Sequence, residues 1–204
     1  MRNGSCTTFI PIPATMKVAE LPKRGHGEPM RERKGEGMHE IHSHCSYCGS
    51  PFADRAAWPR QCGGCGNRSY RNPLPVVVVL VPVGQGLVLI RRNTEPQKGT
   101  LTLPGGYIDF GETWQRAGVR EVEEETGIDI SGGGLQLYDV MNGLDGTLIV
   151  FGLAQPQPLE AVHPFACEET QELVLIDRPQ ELGFEMHTLV VGRFFGERER
   201  LGNE

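Results

Sequence analysis

The chain has 204 residues, 20 Lys+Arg against 26 Asp+Glu, and a formal net charge of −6. That length holds one ordinary domain plus a small accessory module and buries a core without disulfides, which excludes a small disulfide scaffold. Its 27 Gly and 15 Pro stay below the low-complexity range, its longest apolar run (residues 76–81) is far too short for a membrane span, and net negative charge disfavours general nucleic-acid binding.

Residues 1–40 are rich in Gly, Pro, Lys, Arg and Glu and show no apolar periodicity. Such a segment buries too little apolar surface to offset its ordering entropy, so a disordered tail is expected. Pro11 and Pro13 break the early apolar stretch, which leaves no secretory core segment. The chain reads as cytoplasmic, without a membrane anchor, and with reduced thiols.

Residues 41–74 hold four of the six cysteines, as Cys45-Ser-Tyr-Cys48 and Cys62-Gly-Gly-Cys65. A C-x-x-C turn places two thiolates on one side of an ion, and two such turns complete the tetrahedron that Zn²⁺ prefers. A structural zinc ribbon is expected. His42 and His44 flank the first pair and read as solvated approach residues, while Cys6 and Cys167 read as free thiols.

Residues 75–204 read as an α/β domain. The β-branched run 76–81 predicts a buried strand, turned at Gly84-Gln85-Gly86 into a hairpin with residues 87–91. A short apolar piece (101–103) precedes Pro104-Gly105-Gly106. A helix is predicted from Thr113 to Thr126, stopped by Gly127. Alternating strands follow at 135–140 and 147–153, then a Pro-rich loop, a strand at 172–176 and an amphipathic helix over 185–195.

The chemistry concentrates on the first helix. Glu121, Glu124 and Glu125 stand at i, i+3 and i+4, within an arc of about 100°. Like charges so placed repel, and clustered hard oxygens without His or Cys point to Mg²⁺ or Mn²⁺. Gly105 and Gly106, in the turn before, permit close backbone approach.

From Gly106 the chain reads Gly, five residues, Glu112, seven residues, then Arg120-Glu121-Val122-Glu123-Glu124-Glu125-Thr126-Gly127-Ile128. This resembles in full the box of the Nudix hydrolases, G-x5-E-x7-R-E-U-x-E-E-x-G-U, with U a bulky apolar residue. The resemblance implies an α/β/α sandwich with a mixed sheet. It also implies hydrolysis of a nucleoside diphosphate linked to another moiety, of dinucleotide or ADP-ribose type. Glu121, Glu124, Glu125 and the Gly105 carbonyl would then hold the metal, Glu112 would orient the cluster and Arg120 would pair with the carboxylates. Family members often take the general base from a later loop, and Glu169, then Glu172, is the choice here.

The order of ribbon, Tyr70-Arg71-Asn72-Pro73 and first strand is similar to the zinc-ribbon Nudix proteins, in which a second copy of the chain is the expected partner of the ribbon. Three departures stand out: Leu101 replaces a frequent Trp, the Ser-Gln-Pro-Trp-type array of NADH pyrophosphatases is absent from 142–150, and no Pro or Tyr stands at the place that marks the ADP-ribose or diadenosine-polyphosphate groups. Arg91, Arg92, Tyr107 and Phe110 are the candidates for contacting substrate. The alternative is a nucleotide-sensing or nucleic-acid-binding module without turnover, and capped RNA is the one nucleic acid that fits both readings.

Charge is uneven along the chain. Residues 1–40 carry seven basic and five acidic groups, residues 41–74 four and one, and residues 75–204 nine and twenty. Acid so concentrated in the last segment suits a phosphate-rich substrate only if divalent metal lies between.

Overall fold

The computed structural model describes residues 41–53, 57–143 and 145–201. The expected disordered tail, Cys6 and the tripeptide 54–56 of the ribbon lie outside them. Among the described residues no helix is long and apolar enough to cross a membrane.

The ribbon contributes two short antiparallel strands, β1 (Arg60–Gln61) and β2 (Arg68–Ser69). Its apolar packing is small. The Arg60 guanidinium lies 4.5 Å from the Trp58 ring centroid, and the Phe52 and His42 rings meet Trp58 edge-on.

The α/β body follows as β3 (Leu74–Leu80), β4 (Pro82–Val83), β5 (Gly86–Arg92), β6 (Leu101–Thr102), β7 (Gly105–Tyr107) and α1 (Trp114–Thr126). Then come β8 (Leu135–Asn142), β9 (Thr147–Ala154), a 3₁₀ turn at Leu159–Ala161, β10 (Thr170–Ile176) and α2 (Glu185–Leu201). One sheet has the order β7-β3-β9-β8 and is mixed, because β3 and β9 run parallel, with Val78 opposite Phe151. The other has the order β10-β5-β4, with β6 also paired to β5.

From Val77 onward the residues of β3 are apolar on both faces because each face is covered. Val77, Val79 and Val81 pack with Ala117 and Val122 of α1. Val78 and Leu80 pack with Phe151 and with Val190, Val191 and Phe194 of α2. Sheet between helices is the expected α/β/α arrangement.

The hairpin differs from its sequence expectation. Of the predicted first arm, Pro82 and Val83 form the ladder with β5, opposite Leu87 and Gly86, while β3 itself belongs to the other sheet. The chain changes sheets around Val81. Pro82 has no N–H to extend the first ladder, which makes that a natural place to leave it. The second helix also runs longer than its apolar pattern, because its last turns are exposed and carry no periodic signal. There Arg198 donates to the Gly84 carbonyl, and cations at a helix C-terminus oppose the macrodipole favourably.

Helix α1 is capped as its sequence predicts. The Thr113 hydroxyl accepts from the Arg116 N–H, and Gly127 closes the helix at φ 68°. The helix lies close to the sheet at Gly118, where a Cβ would come within 2.6 Å of Leu135 Cδ1 and 3.1 Å of Val79 Cγ2. Gly118→Val is therefore expected to lower unfolding free energy by about 1–3 kcal/mol through overpacking. Urea denaturation checks this, and an unchanged midpoint would show that the helix can shift to make room.

Candidate functional site

The buried face of α1 is Ala117, Gly118, Glu121, Val122, Glu125 and Thr126. Two of the three clustered glutamates therefore face inward, at positions where apolar residues would ordinarily stand. Glu124 lies on the rim, with 59% of its side chain exposed.

Arg120 holds this arrangement. Its Nε and Nη2 donate to the two carboxylate oxygens of Glu112 at 3.1 and 3.0 Å. Nη1 donates to Glu121 Oε1 at 2.7 Å and to Glu124 Oε2 at 3.1 Å. Nη2 also reaches the Tyr107 carbonyl at 3.1 Å. These contacts match the five N–H donors of a guanidinium. Hydrogen bonds from Arg120 hold the Glu112 carboxyl below its usual range, and the bonds to Glu112 raise the proton affinity of Arg120 in return.

The glycines before the helix are explained by close approach. A Cβ on Gly106 would lie 2.6 Å from the Glu121 carboxylate, and one on Gly105 would lie 2.2 Å from the Val77 carbonyl oxygen. The Gly105 N–H donates to Glu125 Oε2 at 2.7 Å. Burial raises the carboxyl pKa of Glu121, and it pushes that of Glu125 up to about 8, with Glu121 and Glu169 adding repulsion.

The donor set fits a hard divalent cation. Glu121, Glu124 and Glu125 each give one oxygen to a protein donor, and among the described residues each keeps the other without one. Glu112 differs, because both of its oxygens are engaged. The carboxylate oxygens are less tightly gathered than the ribbon's sulfurs. Among the described residues, only Cys45, Cys48, Cys62 and Cys65 bring three or more ligand atoms within 4.8 Å of one another.

Those thiols fit Zn²⁺. Cys45 and Cys65 Sγ are 3.8 Å apart and Cys48 and Cys62 Sγ 3.6 Å. A tetrahedron with Zn–S bonds of about 2.3 Å has an edge of about 3.8 Å. Each knuckle turns on a glycine of positive φ, Gly49 at 73° and Gly66 at 75°, whose N–H donates to the carbonyl of the first cysteine at 2.9 Å. The Ser50 hydroxyl and N–H pull the Cys48 thiol down to about 6. His42 and His44 stand outside this group; His44 Nδ1 is paired with Ser43 Oγ at 2.8 Å. Cys167 is a half-buried free thiol.

A cavity of about 880 Å³ opens beside the glutamates. Its acidic end is lined by Glu121, Glu124, Glu169, Arg120 and Gly105. Of the sequence candidates for substrate contact, Arg92 and Tyr107 line it, whereas Arg91 and Phe110 are not among its lining residues. Arg91 is paired with Glu172 at 2.7 Å across β5 and β10, and Phe110 is fully exposed. Successive strand residues face opposite ways, which separates Arg91 from Arg92.

Sequence reasoning missed Phe184, Met186 and His187, at and just before the start of α2, which line the same cavity with Thr94 and Pro96. Their only signal was a helical apolar pattern, which reads as core.

The NUDIX domain family model matches residues 72–190. Over 94 residues the chain is 33% identical to a NAD-capped RNA hydrolase NudC of Klebsiella pneumoniae (strain 342), an alignment covering 46% of this chain and 36% of that relative. A NAD-capped RNA hydrolase NudC of Escherichia coli O1:K1 / APEC is 31% identical over the same length and shares of each chain. The chain thus matches 36% of the length of these curated relatives. The crystal structure of a NUDIX hydrolase from Nitrosomonas europaea superposes with a TM-score of 0.57 at 19% identity, covering 78% of this chain and 93% of that one, which shows a shared fold.

The raised Glu125 pKa sets a pH dependence. A carboxyl that holds its proton more tightly folded than unfolded stabilises fully below its unfolded pKa of about 4.5, and that contribution is lost as pH rises through about 8. With divalent metal chelated, the melting temperature is expected to fall across that window. Glu125→Gln flattens the fall; an equal slope in both proteins would show that Glu125 does not titrate there.

Proposed function

The chain belongs to the NUDIX domain family, and from that premise we propose that it is a nucleotide pyrophosphatase dependent on Mg²⁺ or Mn²⁺. Its substrate would be a nucleoside diphosphate linked to another moiety, of dinucleotide or ADP-ribose-like size. One observation carries the reading. Glu121 and Glu124, each with one uncommitted oxygen, line a cavity of about 880 Å³, with the buried Glu125 beside them on the same helix, and that volume lies within the usual range for small-molecule sites.

Glu121, Glu124, Glu125 and the Gly105 carbonyl would hold the metal, which supplies charge screening for the pyrophosphate and acidifies a water. Arg120 keeps Glu121 and Glu124 side by side, and Glu112 keeps Arg120 in place. Glu169 lines the cavity with Glu121 and Glu124 and accepts the proton of the attacking water. As that water's oxygen bonds to phosphorus, the bridging P–O bond breaks and the departing phosphate takes the electron pair. Glu172, already paired with Arg91, is the weaker candidate for the base. In the ribbon, four thiolates would complete the shell of one Zn²⁺ and leave no open position, so its role is structural.

Purified chain with Mg²⁺ or Mn²⁺ is expected to release nucleoside monophosphate from at least one of NAD⁺, NADH, FAD, ADP-ribose, a dinucleoside polyphosphate or NAD-capped RNA. Glu124→Gln is expected to lower kcat by about 100-fold or more, and Glu169→Gln by about 100-fold. Binding of these compounds without turnover of any would make the protein a sensor instead. Elemental analysis is expected to find about one zinc per chain, and Cys62→Ser to abolish it; a zinc-free native protein would remove the structural role.

A further inference from the structure

The part of the cavity wall at the start of α2 holds a buried side chain that the hydrolytic chemistry does not use. His187, in the first turn of α2, is only 6% exposed, yet it lines the cavity. Its ring lies between Phe184, at 5.2 Å between centroids, and Phe151, at 5.9 Å. Its Nδ1 accepts the Leu103 N–H at 3.3 Å. A neutral imidazole that accepts at one nitrogen carries its hydrogen on the other, so Nε2 is a donor. Among the described residues Nε2 has no hydrogen-bond partner.

The surroundings define what this donor would meet. Phe184, Met186, Leu103, Ile149 and Pro96 bring apolar surface to the cavity, and Glu95, Gln97 and Glu185 are among its other lining residues. The Arg92 guanidinium lies 5.5 Å from the Phe184 ring centroid, and it is itself fixed by bonds to the Pro96 carbonyl and the Thr94 hydroxyl. An apolar slot with an aromatic wall and one fixed N–H donor suits a flat heterocycle that carries an acceptor on its edge. A phosphate or a free sugar would leave that apolar surface unmatched.

We infer that this end of the cavity is the base subsite of the enzyme proposed above, where a nucleobase packs against Phe184 and accepts a hydrogen bond from His187 Nε2. His187 is thus a specificity-determining residue, and its neutral tautomer is part of the design. Burial and the nearby Arg92 charge push its pKa down to about 3, so the ring keeps Nδ1 as an acceptor and Nε2 as a donor throughout the working pH range. A protonated ring could not accept the Leu103 N–H.

The inference rests on the pyrophosphatase reading, and its test separates the two. The quantity measured is the ratio of kcat/KM for ADP-ribose to that for the same diphosphate with a methoxy group in place of adenine. His187→Phe keeps an aromatic ring and removes the donor. It is expected to lower that ratio about tenfold, the worth of one lost hydrogen bond. His187→Gln, which retains an N–H, is expected to restore most of it. Phe184→Leu, at a half-buried position, is expected to lower the ratio as well, and it provides the reading if His187→Phe does not fold. An equal loss on both substrates in these variants would overturn the base subsite. If the wild-type chain hydrolyses neither compound, the pyrophosphatase reading fails only when the whole panel named above is also left intact. Calorimetric binding of AMP then decides the subsite: about tenfold weakening in Phe184→Leu and His187→Phe supports it, and unchanged affinity overturns it.

Discussion

Three glutamates within five residues of one helix repel each other, and two of them are turned into the protein. Each like-charge pair at helical spacing destabilises an isolated helix by about 0.2–0.5 kcal/mol, and burial adds a larger penalty for charge without a partner. The fold answers with Arg120 and the Gly105 N–H. Arg120 also bonds Glu112 and the Tyr107 carbonyl, so one guanidinium ties the helix to the loop that precedes it. The local arrangement of β7, the loop and α1 follows from this one set of bonds. The compensation is incomplete, because Glu121 and Glu125 still hold their protons more tightly than usual. A cation at their uncommitted oxygens would relieve that repulsion.

This geometry needs a helix very near a sheet, which in turn needs residues without side chains. Gly118 lets α1 approach β3, Gly105 lets β7 approach β3, and Gly106 leaves space for the Glu121 carboxylate. The force closing these contacts is apolar burial on β3, whose valines alternate between the α1 and α2 sides. Fully burying one such side chain contributes about 1.5–3 kcal/mol. Packing on the two faces of one strand therefore holds the acidic helix and the apolar helix at fixed positions on opposite faces of the sheet.

The cavity reflects that division. Carboxylates reach it from α1 and from Glu169 just before β10, and Phe184, Met186 and His187 reach it from the start of α2. A diphosphate flanked by organic groups has the same two characters. The average charge of −6 hides this, because it sums a basic tail, a basic ribbon and a strongly acidic body. The acidity belongs where a metal would mediate between carboxylate and phosphate.

Local features were legible in the sequence because their causes are local. Thr113 and Gly127 bound α1 through contacts within a few residues, the paired C-x-x-C turns place four thiolates through short backbone loops, and helical period alone puts Glu121, Glu124 and Glu125 on one arc. The hydrolase box added the roles of Glu112 and Arg120, whose bonds then proved bidentate. Other features depended on distant segments meeting. Nothing near Val76 announces that β3 runs parallel to β9, or that the chain leaves that sheet before Pro82. Arg91 and Arg92 look alike in sequence, yet pairing of β5 with β10 gives Arg91 to Glu172 and leaves Arg92 to the cavity. His187 carries no signal beyond its place on a helix; only packing of α2 beside β6 puts its Nδ1 under the Leu103 N–H and its ring on the cavity wall. The sequence by itself determined the acidic helix, its caps and the thiolate knuckles, because period and spacing act over a few residues. The tertiary structure decided what shares the cavity with the acid, because that depends on which apolar surfaces find one another.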